Sequence, residues 1–374
     1  MKNTLIVAGM TAALPMVTMA NHLNLDVSYG QDNNPYQLTD NLNPESASYT
    51  RAKIKTRFSL LSGVQLRLLG DIKQYSQEAE HASVQSYEAE LSHKKRFKWL
   101  KKRTQWRNSV SYKTYDKSYV SKNTGELATS SSQEITDRYD YEQIEMSTGF
   151  KRSFTKRLSS VISLQVKQKD YEDFSRLNLS NYDYTQYSIL NNWDWKLTKG
   201  HTLEFDWEWG QRQFDDKNQR TVTGTTKAGT DLAYTISEAR IAYTWKLKKA
   251  FKWRTSYELQ SVKDNGDGYY DSQSATASTG FEHKASHRIT WGASIDYKDT
   301  EYLKRESTVG SEDDAYTYKK GSSSKAYLEF DLLPSEKNDI VWYIKLQNYD
   351  YSADANEYAY DRQLVETGIK VSAF

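Results

Sequence analysis

Apolar and polar residues alternate along most of the chain, the two-residue period of strands with one apolar and one polar face. The clearest stretch is Leu203-Glu204-Phe205-Asp206-Trp207-Glu208-Trp209, with Leu, Phe, Trp and Trp on one side and Glu, Asp and Glu on the other. The reading predicts sixteen strands, whose apolar faces are as follows. The first four carry Leu23 to Tyr29, Ala52 to Phe58, Val64 to Ile72 and Tyr87/Ala89/Leu91. Trp106/Val110/Tyr112, Ile144/Met146/Phe150, Ile162/Leu164/Val166, Ile189/Trp193/Trp195 and Leu203 to Trp209 come next. The second half continues with Ile241/Tyr243/Trp245, Trp253/Tyr257/Leu259, Ala277/Thr279/Phe281 and Ile289/Trp291/Ile295. Leu328/Phe330/Leu332, Ile340/Trp342/Ile344 and Val365/Ile369/Val371 close the series. Strands five, eight and twelve alternate least regularly, which leaves fourteen as the alternative count.

No amphipathic helix and no second set of buried faces accompanies these strands. Sheets without a covering layer need an apolar solvent on their apolar side, and in lipid every strand edge must be paired. The pattern therefore predicts an all-β fold, a single transmembrane antiparallel up-and-down β-barrel. The connections alternate in kind. Seven are short and basic, among them Lys94 to Arg103, Lys151 to Arg157 and Lys246 to Lys252; eight are longer and rich in Asp, Asn, Ser and Glu, the longest being 116–137 and 299–321. Short periplasmic turns on one rim and extracellular loops on the other give sixteen strands, with both termini on the periplasmic rim.

Composition narrows the class further. Only 37% of the 374 residues are hydrophobic, yet the chain has Trp 10, Tyr 29 and Phe 11 with Pro 4, which excludes a disordered chain. Cys 0 excludes disulfides, Cys-ligated zinc and thiol catalysis. No mature segment approaches the ~18–20 consecutive apolar residues of a membrane-crossing helix. Lys2, the apolar run Leu5 to Thr18 and the small residues around Ala20 form the pattern of a secretory signal peptide. Residues 1–20 are expected to be removed, leaving 21–374 as the barrel.

The signal sequence, the dyad repeat, the Tyr- and Trp-rich strand ends and the terminal Phe374 resemble bacterial outer-membrane β-barrel proteins over the whole chain. The resemblance implies a Gram-negative outer-membrane location, contact with lipid and lipopolysaccharide, and a porin-like channel. Phe374 departs from the family's C-terminal pattern, since Val365, Ile369 and Val371 lie at the wrong parity; a bulge near Ser372-Ala373 would restore it. Gln31-Asp32-Asn33-Asn34-Pro35-Tyr36-Gln37-Leu38 resembles a short stretch of barrels associated with exopolysaccharide export. A cluster of Asn, Asp and Pro is also ordinary loop chemistry.

Reversing the parity gives the inward residues. Arg51, Lys53, Lys55, Arg57, Arg67 and Lys73 form a basic set on strands two and three, and Glu204, Asp206 and Glu208 an acidic set on strand nine. Facing walls of opposite charge would order water across a lumen and favour polar solutes. The alternative is local pairing, with Glu88 and Glu90 beside the bases and Arg240 beside the acids. The two longest loops, with Thr300-Glu301 and Glu312-Asp313-Asp314, are candidates to narrow the pore. Loop tyrosines such as Tyr171, Tyr269, Tyr270, Tyr302 and Tyr316 could stack on sugars, although an interfacial aromatic belt accounts for most such residues.

Catalytic chemistry finds little support. There is no Gly-x-Ser-x-Gly and no His-Glu-x-x-His. His81, between Glu78 and Glu80, is the one candidate acid/base group. Asp264-Asn265-Gly266-Asp267-Gly268 lacks the Glu that would complete a calcium loop. No cofactor, metal or nucleic acid is expected. The expected function is a non-enzymatic channel for polar or charged small solutes, saccharides among them. The alternatives are a barrel component of surface-polysaccharide export with periplasmic partners and, remotely, an outer-membrane hydrolase. A homo-oligomer is compatible with all three.

Overall fold

The computed structural model describes residues 22–99, 102–121, 124–130, 132–174, 177, 179, 181–248, 250–305, 317–333, 338–354 and 358–373. The expected signal peptide, Phe374 and the acidic run Glu312-Asp313-Asp314 lie outside these residues, as does Tyr316.

Sixteen antiparallel strands close into one barrel. They are β1 (His22–Asp32), β2 (Ala47–Leu61), β3 (Val64–Tyr75), β4 (Val84–Trp99), β5 (Lys102–Lys117), β6 (Tyr141–Ser153), β7 (Leu158–Tyr171) and β8 (Tyr184–Thr198). The second half comprises β9 (His201–Phe214), β10 (Ala233–Leu247), β11 (Phe251–Asp264), β12 (Ser272–Lys284), β13 (Ile289–Tyr302), β14 (Tyr318–Asp331), β15 (Asn338–Ala353) and β16 (Tyr360–Ala373). Each strand pairs with its chain neighbours, and β1 closes the ring against β16 from Leu23↔Ala373 to Asp32↔Leu364. The count is sixteen rather than fourteen, because the irregular β5, β8 and β12 each pair with a neighbour on both sides over twelve residues or more.

The register through β16 is unbroken to Ala373 against both β1 and β15. The expected bulge at Ser372-Ala373 is therefore not present. Val371, Ile369 and Val365 face outward with Leu25, Val27 and Gln31, so lipid burial of these three sets the phase of the strand.

Outward apolar side chains are widely exposed: Leu164 57%, Ile295 56%, Met146 53% and Ile162 52%. They meet no protein layer, so a hydrocarbon solvent is what their pattern requires. Two aromatic girdles bound this band. At the short-turn end stand Trp106, Phe150, Trp195, Trp291 and Trp342, joined by ring contacts such as Trp106–Phe150 at 6.4 Å and Phe281–Trp291 at 5.1 Å. Nearer the long loops stand Tyr29, Tyr87, Tyr112, Tyr187 and Tyr297. Thr114, the partner of Tyr87, lies eight residues beyond Trp106 on β5. At ~3.4 Å per residue and ~40° tilt this is roughly 20 Å along the barrel axis, close to the height of a lipid-facing band.

The opposite face converges. Arg362 on β16 hydrogen-bonds Tyr75 on β3 at 3.1 Å with β1 and β2 between them, and Arg254 on β11 reaches Glu204 on β9 at 2.5 Å across β10. Hydrogen bonds that reach across one or two intervening strands mark the concave side of a closed sheet. That side is the lumen.

Candidate functional site: the charged lumen

The register places Arg51, Lys53, Lys55 and Arg57 of β2 and Arg67 and Lys73 of β3 on the inner face, opposite in parity to Ile54 and Leu66. Glu204, Asp206 and Glu208 of β9 share the inner face seven steps around the ring. Most of these charges pair locally. Arg51 binds Asp71 at 2.7 Å and Lys53 lies 3.4 Å from the same carboxylate. Arg67 meets Glu88 at 2.8 Å and also Glu90, while Lys73 reaches Asp32 at 3.5 Å. Arg254 holds Glu204, and Arg240 lies 3.4 Å from Asp206. Glu208 accepts from Ser188 at 2.8 Å and Gln186 at 3.3 Å. Among the described residues Lys55 and Arg57 form no ion pair. Asp71 is the partner the sequence reading passed over. It sits at the same inner parity as Arg67 and Lys73, and only the β2–β3 register brings Lys53 opposite it.

The most buried part of this network lies at the seam where the barrel closes. Asp32 is fully buried; Arg362 binds it at 2.5 Å, and Tyr75 and Lys73 complete its shell. Tyr49 donates to Glu366 at 2.9 Å, Tyr343 to the other Glu366 oxygen at 3.0 Å, and Lys345 pairs with Glu366. Gly30 opposes Tyr49, and a Cβ added there would come within 2.5 Å of the tyrosine ring, so the site needs glycine. Asn34, also fully buried, accepts from Leu38 N–H at 2.8 Å and donates to the carbonyls of Leu38 at 2.7 Å and Asp361 at 2.9 Å. The Asp32–Leu38 segment thus spends its polar atoms on pinning the first loop to β16.

At the long-loop end the inner positions repeat a pairing of tyrosine with a cation one rung deeper. Lys73 lies 3.7 Å from the Tyr49 ring centre, Lys169 3.5 Å from Tyr141, Arg212 4.3 Å from Tyr184 and Lys319 4.9 Å from Tyr351. Cations over tyrosine faces at such distances gain roughly 0.5–2 kcal/mol. Lys73-x-Tyr75, Lys113-x-Tyr115, Lys169-x-Tyr171, Arg212-x-Phe214 and Tyr360-x-Arg362 are the sequence signal, a period-two spacing at strand ends. One compartment of this ring, about 490 Å³, is lined by Arg212, Lys298 and Lys319, by Tyr234, Tyr270, Tyr302 and Tyr351, and by Gln260, Ser272, Ser274 and Thr300. It has no carboxylate in its lining, and among the described residues its three cations form no ion pair. Gly321 leaves the room that the Tyr351 ring occupies.

Loops cover part of this mouth. Tyr269, fully buried, clusters with Tyr270, Leu232, Phe214 and Tyr184, and Tyr36 packs against a second cluster that contains Tyr49, Tyr75 and Ala79. Tyr171, Tyr269 and Tyr270 therefore belong to small cores at the mouth and not to a lipid-facing belt, because their strand-end and loop positions turn inward. The loop between β5 and β6 folds on itself as a short hairpin, Thr129–Ser130 with Gln133–Glu134, burying Ala128 and Ile135. Burial pushes the Asp140 carboxyl in this loop up to about 7, helped by Asp116, Asp137 and Glu172. His81 stands 3.7 Å from Glu80 at an exposed edge. The Asp264 carboxylate accepts from Gly266, Gly268 and Tyr270 N–H groups at 2.8–2.9 Å, so the calcium-like sequence is a turn closed by its own aspartate.

An apolar outer band between aromatic girdles, a charged interior and a closed ring of sixteen strands together define a membrane-spanning β-barrel of the outer-membrane type. No protein-family model and no curated protein matches the sequence. Among solved structures, the chain resembles CdiB from Acinetobacter baumannii with a TM-score of 0.51 and 11% identity, over 94% of this chain and 60% of that one. It also aligns with OccAB1 of Acinetobacter baumannii (TM-score 0.46, 11% identity, 94% and 96% covered) and with OprD of Pseudomonas aeruginosa (TM-score 0.45, 12% identity, 94% and 92% covered). At such identities the likeness is one of fold.

Proposed function

We propose that this barrel is an outer-membrane channel for small polar solutes and that it favours those carrying negative charge, acidic saccharides among them. The observation that carries the reading is the mouth compartment, where Arg212, Lys298 and Lys319 stand beside tyrosine rings and hydroxyls without a neutralising carboxylate. A volume of about 490 Å³ falls within the range of small-molecule sites. Tyrosine faces suit sugar rings, and unpaired cations suit carboxylate or phosphate groups. Deeper in the lumen most charges of β2–β3 and β9–β11 are paired and Lys55 and Arg57 are left over, so the path stays polar and its surplus charge has the same sign as that of the mouth. In this reading the long loops are extracellular and the termini periplasmic.

The test is single-channel conductance in a planar bilayer, wild type beside an Arg212→Gln/Lys298→Gln/Lys319→Gln variant. The expected result is open steps with anion preference in the wild type and a several-fold shift of the permeability ratio toward cations in the variant. Block by a uronic acid but not by its neutral parent sugar would identify the solute class. A folded wild type that stays silent would overturn the channel reading and leave the export role as its successor.

A further inference from the structure

The β4–β5 hairpin outgrows its neighbours at the short-turn rim. β3 pairs with β4 only as far as Val64↔His93 and β6 with β5 as far as Thr104↔Arg152, whereas β4 and β5 pair on through Trp99↔Lys102. Lys94 N–H donates to Gly63 carbonyl at 2.8 Å, and beyond it the β4 edge has no partner strand among the described residues. About 17 Å of strand edge is left, at ~3.4 Å per residue. By the period of the ladder, the N–H groups of Arg96 and Lys98 point to that open side.

The side chains here are sorted. Lys94, Arg96 and Lys98 share the pore-side face with Arg103 and Arg107; Phe97 and Trp99 occupy the other face and are exposed. Lys94 lies directly opposite Arg107, and Lys98 opposite Arg103. Like charges in directly opposed positions destabilise a hairpin. Nothing offsets them locally, since no acidic residue occurs between Glu90 and Asp116 and no ion pair forms on the hairpin among the described residues. Lysines on an edge discourage self-association, but that needs one or two charges and does not account for five on one face of the hairpin.

We propose that this hairpin is a docking edge for an extended acidic peptide of a soluble partner. The peptide adds to β4 as a further strand, its alternate carboxylates facing Arg96, Lys98 and Arg103 and its intervening apolar residues facing Phe97 and Trp99. The proposal is independent of what the lumen conducts.

The test is fluorescence anisotropy on the full-length protein in zwitterionic nanodiscs, with a labelled peptide alternating Glu with Val and Leu. A peptide of the same composition with its Glu residues grouped is the control. The alternating peptide is expected to bind at least about tenfold more tightly than the grouped one, and Arg96→Glu/Lys98→Glu should lose that binding. Arg96→Pro removes one edge N–H where proline is tolerated, and it should weaken binding about tenfold while the barrel stays heat-modifiable. Equal binding of the two peptides, or an unaffected Arg96→Pro variant, would overturn strand addition. Displacement of the peptide by phosphatidylglycerol vesicles but not by phosphatidylcholine would overturn it too, assigning the hairpin to lipid headgroups.

Discussion

At the short-turn end of the barrel Trp106, Trp291 and Trp342 face outward, whereas at the long-loop end Tyr49, Tyr75, Tyr141 and Tyr184 face inward over lysines and arginines. The strands at both ends obey the same alternation. The girdle indoles present area to lipid and settle their N–H groups on neighbouring threonines, Trp106 on Thr148 and Trp253 on Thr279, each at 3.0 Å. The inner tyrosines do the reverse. Tyr49 and Tyr75 give their hydroxyls to the buried carboxylates of Glu366 and Asp32, and all four turn ring faces to cations. An aromatic residue at a strand end thus reports an interface, and its parity decides whether that interface is with lipid or with the lumen.

Breaking the inner network should have the largest effect. Arg362→Ala leaves the Asp32 carboxylate buried without its main partner, and should cost about 3–5 kcal/mol in urea unfolding from lipid vesicles. Asp32→Asn in the same background should recover part of that loss.

The outer face is sharpened by two adjacent positions. Leu164→Arg puts a charge into the lipid-facing band and should destabilise by about 2–4 kcal/mol, whereas Gln165→Arg, on the inner face, should change stability by less than about 1 kcal/mol. Similar losses at both sites would mean that the two faces are not distinguished by solvent.

The smallest effect concerns pH at the loop mouth. Asp140 has its carboxyl raised from 3.8 to about 7 by burial first and by neighbouring carboxylates second. The folded loop holds that proton more tightly than the unfolded chain does, so its stability is greatest at acid pH and falls as pH rises from about 4 to about 7. Hydrogen exchange in residues 117–140 should therefore quicken between about pH 4 and about pH 7 beyond the intrinsic rate, and Asp140→Asn should remove the excess.

Strand positions, their number and their outward faces were legible because a strand's side-chain period is local: two residues decide parity wherever the strand pairs. For the same reason the nine charges of β2, β3 and β9 fall at one parity along the chain, opposite to that of the apolar residues. Asp71 as the shared partner of Arg51 and Lys53 was not legible, since it depends on register. Neither was the cluster around Asp32, which joins residues from both ends of the chain.

The amino-acid sequence by itself determined that this protein is a barrel in an apolar solvent, because each strand carries its own division between lipid and water. Only the tertiary structure decided which charges neutralise one another and which remain available at the mouth. Ring closure sets residues hundreds of positions apart within hydrogen-bonding distance, and the electrostatics of a lumen depend on those distances.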